Sequence, residues 1–459
     1  MISRLLAGMR GIVFANKGGS HNRKIFAAAV IVGLATVVVK LASLAKELIV
    51  ARTFGRGDEL DAFLIAFLVP SFAINVIAGS FNAALIPTFI SVREVKGKEA
   101  AQRLFSNVVV LSSALLIVVS IVLALLAPFL LRYLGSGFSD HKLELTEQLF
   151  NTVLPVLVIN GLAVTWGGVL NAGERFAWVS LASISVPLVI VAALLGGGRE
   201  WGITTLSIGT VAGFALEAGL IAWGLRRHGL SLTPRWFGMD NDLRQVMNQY
   251  MPMVAGGILM SSTLLVDNAM AAMLESGSVS ALSYGNRVIS VMTGIGATAL
   301  GTAALPYFSK MVANQDWGGL RKTLNLYLRL IFLTMVPLTG ILIYYSEDLV
   351  RLLFERGAFT QLDTQLVARI QAFFLLQMPF YIAGIFLVRL ISALKANYVL
   401  MWGTFISVII NVAMNYFGMI YLGVAGIALS TSIVYMVAFI YLFSMLHRII
   451  KRQASSRAS

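Results

Sequence analysis

The sequence predicts an all-α polytopic membrane protein, with about twelve transmembrane helices in two six-helix lobes around a central cavity. Three observations predict it. Of 459 residues, 58% are hydrophobic and only 12% are charged, about half the charged share of a soluble globular chain. The apolar residues gather into continuous runs of about 20 or more, enough to cross roughly 30 Å of hydrocarbon as a helix. Their continuity, in place of alternation, argues against a β-barrel. Finally, the two halves echo each other. ALIPTFIS (Ala84–Ser91) returns as ALPYFSK (Ala304–Lys310), and ARTFGRGDELDAF returns loosely as AAMLESGSVSAL (Ala271–Leu282), both about 220 residues later. Six spans plus six in one orientation give parallel repeats, which place a substrate between the halves.

In chain order, residues 1–24 form a basic segment with Arg4, Arg10, Lys17, Arg23 and Lys24. Ile2 to Phe14 fits a short amphipathic helix on the membrane surface, and no compact apolar core leads to a signal-peptide cleavage site. Spans 1–6 are expected at about 25–53, 60–91, 102–133, 147–171, 176–197 and 202–226, making an N-lobe over 25–228. An inter-lobe loop, 229–243, carries Pro234 and sits within the arginine-rich stretch Arg226–Arg244. Spans 7–12 follow at about 244–273, 279–311, 320–346, 364–394, 398–420 and 423–447, a C-lobe over 244–448 with a basic tail over 449–459. The turn at Thr53–Asp61 uses Gly55 and Gly57, and Asp58 or Asp61 is placed to cap the second helix. After the ninth span, Glu355 and Arg356 read as a surface pair and Gly357 as the end of a short helix. Pro70, Pro87, Pro155, Pro187, Pro252, Pro306, Pro337 and Pro379 fall inside spans and are expected to kink them.

The net charge is +14. In a soluble chain that would suggest nucleic acid; here it is the cation surplus of cytoplasmic loops. With the N-terminus inside, 22 cations fall on the inside segments and eight outside. Both termini are therefore expected in the cytoplasm, and no nucleic-acid partner is expected. The chain has no cysteine, and its four histidines lack metal-ligand spacing.

Five cations remain inside spans: Lys40, Lys46, Arg287, Arg329 and Arg389. Arg329 lies near enough to an end to snorkel. A charge at the bilayer centre costs roughly 2.5–3.5 kcal/mol, so the other four imply a water-filled cavity or buried partners. Lys40 and Lys46, six apart, lie on neighbouring faces of one helix. The alternative to a ligand is internal pairing, Lys46 with Glu47 or Asp61 and Arg287 with Asp267. Asp267 is a deep intramembrane acid and so a functional candidate. Asn411 and Asn415 share one helix face, and Thr431 lies on the next span. Together they offer hard oxygen ligands suited to Na⁺; equally, such amides can bind helices to one another. Glu217, in the sixth span, is a lone alternative for proton coupling.

Ala45–Phe67, with its VAR-x-FG-x-G-x-x-x-DAF pattern, resembles the MurJ/MviN lipid II flippases of the multidrug/oligosaccharidyl-lipid/polysaccharide exporter superfamily. So do SGSVS (Ser276–Ser280) with Tyr284 and Arg287, LGTAALPYFSK (Leu300–Lys310) and LFERGAFT (Leu353–Thr360). The resemblance implies a MATE-like pair of lobes whose cavity opens alternately to each side, and a substrate that is an undecaprenyl-diphosphate-linked saccharide. It implies a substrate-binding set of Lys40, Lys46 and Arg287, with Arg389 at a further basic position, and with Arg52 and Asp61 inside the shared motif. It also implies a sodium site from Asp267, Asn411, Asn415, Thr431 and the Ile427 carbonyl, with Asn415 standing where the family has an Asp.

Lysines stand at the first two of the family's cation positions, Ile74 near the third, and Ser290 where an acid follows Arg287. Two further C-terminal helices common in the family are also expected to be missing. These departures favour an exopolysaccharide or O-antigen repeat unit over lipid II. The competing class is a cation-coupled multidrug exporter of the same superfamily. An enzyme is not expected: no acid–base constellation appears, and no outside loop exceeds roughly 20 residues. The expected setting is the bacterial cytoplasmic membrane, as a monomer with no cofactor other than a coupling or structural Na⁺.

Overall fold

In the computed structural model, the described residues are 21–294, 308, 311–394 and 396–455, and among them every regular element is helical. The candidate surface helix at Ile2–Phe14, Pro306, Lys395 and all of the ALPYFSK repeat except Phe308 lie outside the described residues. The N-terminal half holds α1 (His21–Phe54), α2 (Asp58–Lys96), α3 (Lys98–Leu134), α4 (Asp140–Val153), α5 (Pro155–Ala172), α6 (Phe176–Ala182), α7 (Ser185–Trp201) and α8 (Ile203–Arg227). The C-terminal half holds α9 (Asn241–Ala272), α10 (Ser278–Gly285), α11 (Trp317–Tyr344), α12 (Ser346–Phe354), α13 (Gln361–Leu375), α14 (Met378–Ala393), α15 (Asn397–Leu422) and α16 (Val424–Ser455). Helical backbone also runs over 287–294.

Ten stretches among the described residues are long and apolar enough to cross a membrane. They correspond to spans 2–7 and 9–12. Spans 1 and 8 fall on α1 and on the segment from Ser278, and each adjoins residues outside the described set. The pattern is consistent with twelve.

The prolines divide into two kinds. Pro70, Pro87, Pro252 and Pro337 sit inside continuous helices. Pro155 and Pro379 instead begin α5 and α14, and Pro187 lies in the first turn of α7. A proline lacks the N–H that a first-turn position leaves unbonded anyway. The fourth, fifth and tenth spans are therefore each two helical pieces, where kinked single helices were expected.

The two halves meet along α2 and α9, where Phe81 stacks on Tyr250 with ring centroids 3.9 Å apart and Lys96 pairs with Asp242 at 2.6 Å, and again at the end of the bundle that carries the α1–α2 turn. There Gly55, at φ +59, turns against the Ala358 carbonyl, and Gly357, at φ +65, turns against the Arg52 carbonyl. A Cβ at either site would collide with backbone, and both φ values are left-handed. Ala358 N–H donates to the Arg52 carbonyl at 3.0 Å. The Tyr284 hydroxyl donates to Gly55 O at 3.1 Å, and Arg56 Nε reaches Asp363 Oδ1 at 2.8 Å. The largest core joins α1–α9 to parts of α10–α14 and α16. A smaller core joins α11, α14, α15 and α16 within the C-terminal half. Glu355 pairs with Arg351 at 3.6 Å, not with the expected Arg356, whose guanidinium turns back to Leu352 O.

Candidate functional site

Asp61 was a candidate helix cap and a candidate ligand contact. Its carboxylate is 1% exposed. Oδ2 accepts from Gly277 N–H at 2.8 Å, Oδ1 from Ser280 N–H at 2.7 Å, and Lys142 Nζ stands 3.1 Å from Oδ2. Gly277 is the N-cap of α10 and Ser280 its third helical residue. Asp61 therefore caps a helix, but in the other half of the chain; α2 itself starts at Gly57 with no side-chain cap. Asp58 likewise serves Lys142, at 2.5 Å, and not its own helix. Every oxygen of Asp61 is engaged, which makes it a latch between the halves.

The intramembrane cations meet elsewhere. Glu47, on α1, is 6% exposed. Its Oε1 lies 2.7 Å from Lys46 Nζ and 2.8 Å from Arg287 Nη2. The expected Lys46–Glu47 pair forms. The expected Arg287–Asp267 pair does not, because Glu47 holds Arg287 instead. Lys40 lies beside the same segment seven residues further on: a Cβ on Gly294 would sit 3.8 Å from Lys40 Nζ. The order is antiparallel, 40 with 294 and 47 with 287. Two cations, one from each half, thus share the Glu47 carboxylate, and Lys40 stands two turns further along the same contact with no ion pair among the described residues. Arg287 Nε is buried with no acceptor, an unmet donor that folding alone would select against.

Lys46 also lines a cavity of ≈330 Å³ within the N-terminal half, together with Ser43, Asn160, Ser183 and Glu217. There Glu217 accepts a hydrogen bond from Ser183 Oγ at 2.5 Å. Arg52 is exposed at the end of α1, with its backbone in the latch. Arg389 is exposed on α14, which packs on α11, α15 and α16. Neither has an ion pair among the described residues. Ile74 is 5% exposed, in the main core.

Asp267, Asn411, Asn415 and Thr431 do come together. Asp267 Oδ1 accepts from Asn411 Nδ2 at 2.9 Å and from Asn415 Nδ2 at 2.6 Å, while Thr431 Oγ1 lies 3.4 Å from Oδ2. Thr431 Oγ1 is also 3.1 Å from the Ile427 carbonyl. Asp267, Asn411 and Asn415 are buried, and no cation reaches Asp267 among the described residues. Asn411 Oδ1 and Asn415 Oδ1 are buried without a partner. A half-turn of either amide would exchange its donor for that oxygen beside the carboxylate. With both amides turned, the set would present only oxygens with one charge, a chemistry that fits a hard monovalent cation.

The sequence model of one family, described as Lipid II flippase MurJ, matches residues 50–457. The chain belongs to the MurJ family. The match includes Asp267, Arg287 and the oxygen cluster; Lys40, Lys46 and Glu47 lie ahead of it. A probable lipid II flippase MurJ of Rhizobium tropici is 28% identical over 437 residues, 91% of this chain and 80% of that protein. One from Thermotoga maritima is 25% identical over 412 residues, 89% and 83% of the two. A solved MurJ structure in an inward closed conformation superposes with TM-score 0.78 at 22% identity, covering 91% of this chain and 87% of that one. An inward-facing MATE-family multidrug resistance transporter gives 0.74 at 16% identity, over 92% and 99%. The MurJ and MATE likeness fits the paired-lobe fold.

Sequence reasoning missed Glu47 as the bridge to Arg287, and it missed the burial of Lys142. Glu47 carried one signal, an acid inside an apolar run beside a lysine. Lys142 carried none, lying in a polar stretch near a helix start.

Proposed function

We propose that this chain moves an undecaprenyl-diphosphate-linked saccharide across the cytoplasmic membrane by alternating access, with Arg287, Lys46 and Lys40 receiving the diphosphate. The observation that carries the reading is the line of three cations along the contact between α1 and residues 287–294, of which Lys46 and Arg287 share the Glu47 carboxylate and Lys40 has no ion pair among the described residues, with the buried Arg287 Nε–H unpaired. A lipid-linked diphosphate brings about two negative charges, the complement of that surplus. Guanidinium binds phosphate oxygens in paired, charge-assisted fashion. Both halves of the chain supply cations, so a bound anion would bias the contact between them. Glu47 holds Lys46 and Arg287 when no anion is present and would yield them to one.

For the saccharide, the lysines at 40 and 46 and the core position of Ile74 favour an exopolysaccharide or O-antigen repeat unit. Lipid II is the second reading, favoured by the names of the relatives. A cation-coupled multidrug exporter is supported by the MATE-like fold alone, and a net positive cluster suits an anion better than a cationic drug. Asp267, Asn411, Asn415, Thr431 and the Ile427 carbonyl would hold Na⁺, which would supply the counter-charge that Asp267 lacks.

The test is complementation of two depletion strains, one lacking its lipid II flippase and one lacking a repeat-unit flippase. The wild-type chain should rescue the second. Arg287→Ala should abolish that rescue while inserting into the membrane at normal abundance. Rescue of the first strain alone would reassign the saccharide to lipid II. Rescue of neither, or full activity of Arg287→Ala, would overturn the cluster's role.

A further inference from the structure

The end of the N-terminal half opposite the latch holds a second cavity, of ≈690 Å³, lined by none of Lys40, Lys46, Glu47 and Arg287. Arg93, Lys98, Arg103 and Arg175 line it, against one carboxylate, Glu99. None of the four cations has an ion pair among the described residues. A loop surplus of cations would be the ordinary reading. Two features of the cavity go beyond it.

The first is that one wall is fixed by three polar side chains, two of them buried. Gln102 exchanges two hydrogen bonds with Ser231, at 2.9 and 3.0 Å. Ser106 donates to Arg235 O and accepts from Arg235 N–H, at 2.8 and 2.7 Å. Asn107 donates to Gly238 O at 3.0 Å and accepts from Phe237 N–H at 2.7 Å. Ser106 and Asn107 are buried, so the loop between α8 and α9 is held in one shape against α3. That shape sets Phe237 as a wall, with the Arg103 guanidinium 5.9 Å from its ring centroid.

The second is the division of chemistry inside. Phe89, Val169 and Leu170 give an apolar floor beneath the cationic rim. The Arg93 guanidinium lies over the turn that carries Arg175: a Cβ on Gly173 would be 3.7 Å from Arg93 Nη1. α3 also begins at this cavity, from Gly97, with no side-chain cap, which adds the partial positive charge of its free N–H groups. An anion alone would need the rim; an anion with an apolar body would use the floor as well.

We infer that this cavity binds a phosphate-bearing anion, with Arg93 and Arg175 on the phosphate and Phe89 and Phe237 against any attached apolar group. The phosphate can come from an anionic phospholipid headgroup or from free phosphate. The test uses the full-length purified protein in detergent, titrated with short-chain phosphatidylglycerol, short-chain phosphatidylcholine and inorganic phosphate. Trp236, beside Phe237 in the fixed loop, reports binding by its fluorescence. Phosphatidylglycerol should bind and phosphatidylcholine should not. Arg93→Gln and Arg175→Gln should each weaken binding about tenfold, as expected for loss of one charge-assisted contact. Using both single variants keeps the test open if one fails to fold. Inorganic phosphate binding as tightly as phosphatidylglycerol, with the same dependence on both arginines, would support the site and name the free anion as its ligand. The inference is overturned if the wild type binds neither anionic probe, or if both folded variants bind within about twofold of it.

Discussion

Asp61 and Asp267 are both buried carboxylates inside a membrane protein, yet their surroundings are opposites. Asp61 faces two backbone N–H groups and the Lys142 ammonium. Asp267 faces two amides and a hydroxyl, all neutral. Removing a carboxylate from water costs several kcal/mol, which only a well-placed charge or several donors offset. At Asp61 that compensation is complete and comes from both halves of the chain, so the residue holds the fold together. At Asp267 it is incomplete, and two amide oxygens nearby also lack partners. Burial alone therefore does not distinguish the two acids; the unmet partners around Asp267 do.

The comparison can be broken first at Asp61. In Asp61→Asn, an amide NH₂ replaces one acceptor oxygen, so a donor confronts a donor. Lys142, only 5% exposed, keeps just the solvent-facing Asp58 as a counter-charge. The expected loss is about 3–5 kcal/mol, the cost of breaking a buried pair. The melting transition of the purified protein should fall by about 5 °C or more. A fall below about 1 °C would show that the two halves do not depend on this latch.

Asp267→Asn should have the opposite sign. The variant removes an uncompensated charge, so its melting temperature without sodium should equal or exceed that of the wild type. What it should lose is the response to sodium. A wild-type site at 100 times its Kd gains about 2.7 kcal/mol from the bound ion, and the variant should gain nothing. Melting in sodium against choline buffer measures both quantities. A sodium response kept by Asp267→Asn would place the ion elsewhere.

The two acids also differ in how far the sequence reveals them. Asp267, Asn411, Asn415 and Thr431 were legible because each is a polar residue in an apolar run, and the two asparagines stand one helical turn apart. The apolar runs themselves, and hence ten spans, were legible for the same reason. Asp61 read as a cap, which it is, but its helix lies about 220 residues away, and local capping rules see only neighbours. Arg287 failed similarly. Asp267 was the intramembrane acid nearest to it in sequence within the same half, while its partner, Glu47, sits on α1. Proline breaks were missed because an internal proline and a first-turn proline look alike until the helix register is known.

The smallest effect sharpens the comparison from the other side. Arg351 has more acidic partners than either buried acid has cations: Glu347 at 2.7 Å, Asp348 at 3.3 Å and Glu355 at 3.6 Å. Its side chain is 45% exposed, so water and salt screen all three contacts, and each partner recovers hydration when the arginine is removed. Exposed pairs of this kind contribute about 0–1 kcal/mol. Arg351→Ala should therefore shift the melting temperature by no more than about 1 °C. A loss comparable to that of Asp61→Asn would mean that the number of charged partners, and not their burial, sets the strength of these contacts. Asp61 and Arg351 would then belong to one class, and the distinction between the latch and the open site at Asp267 would need another physical basis.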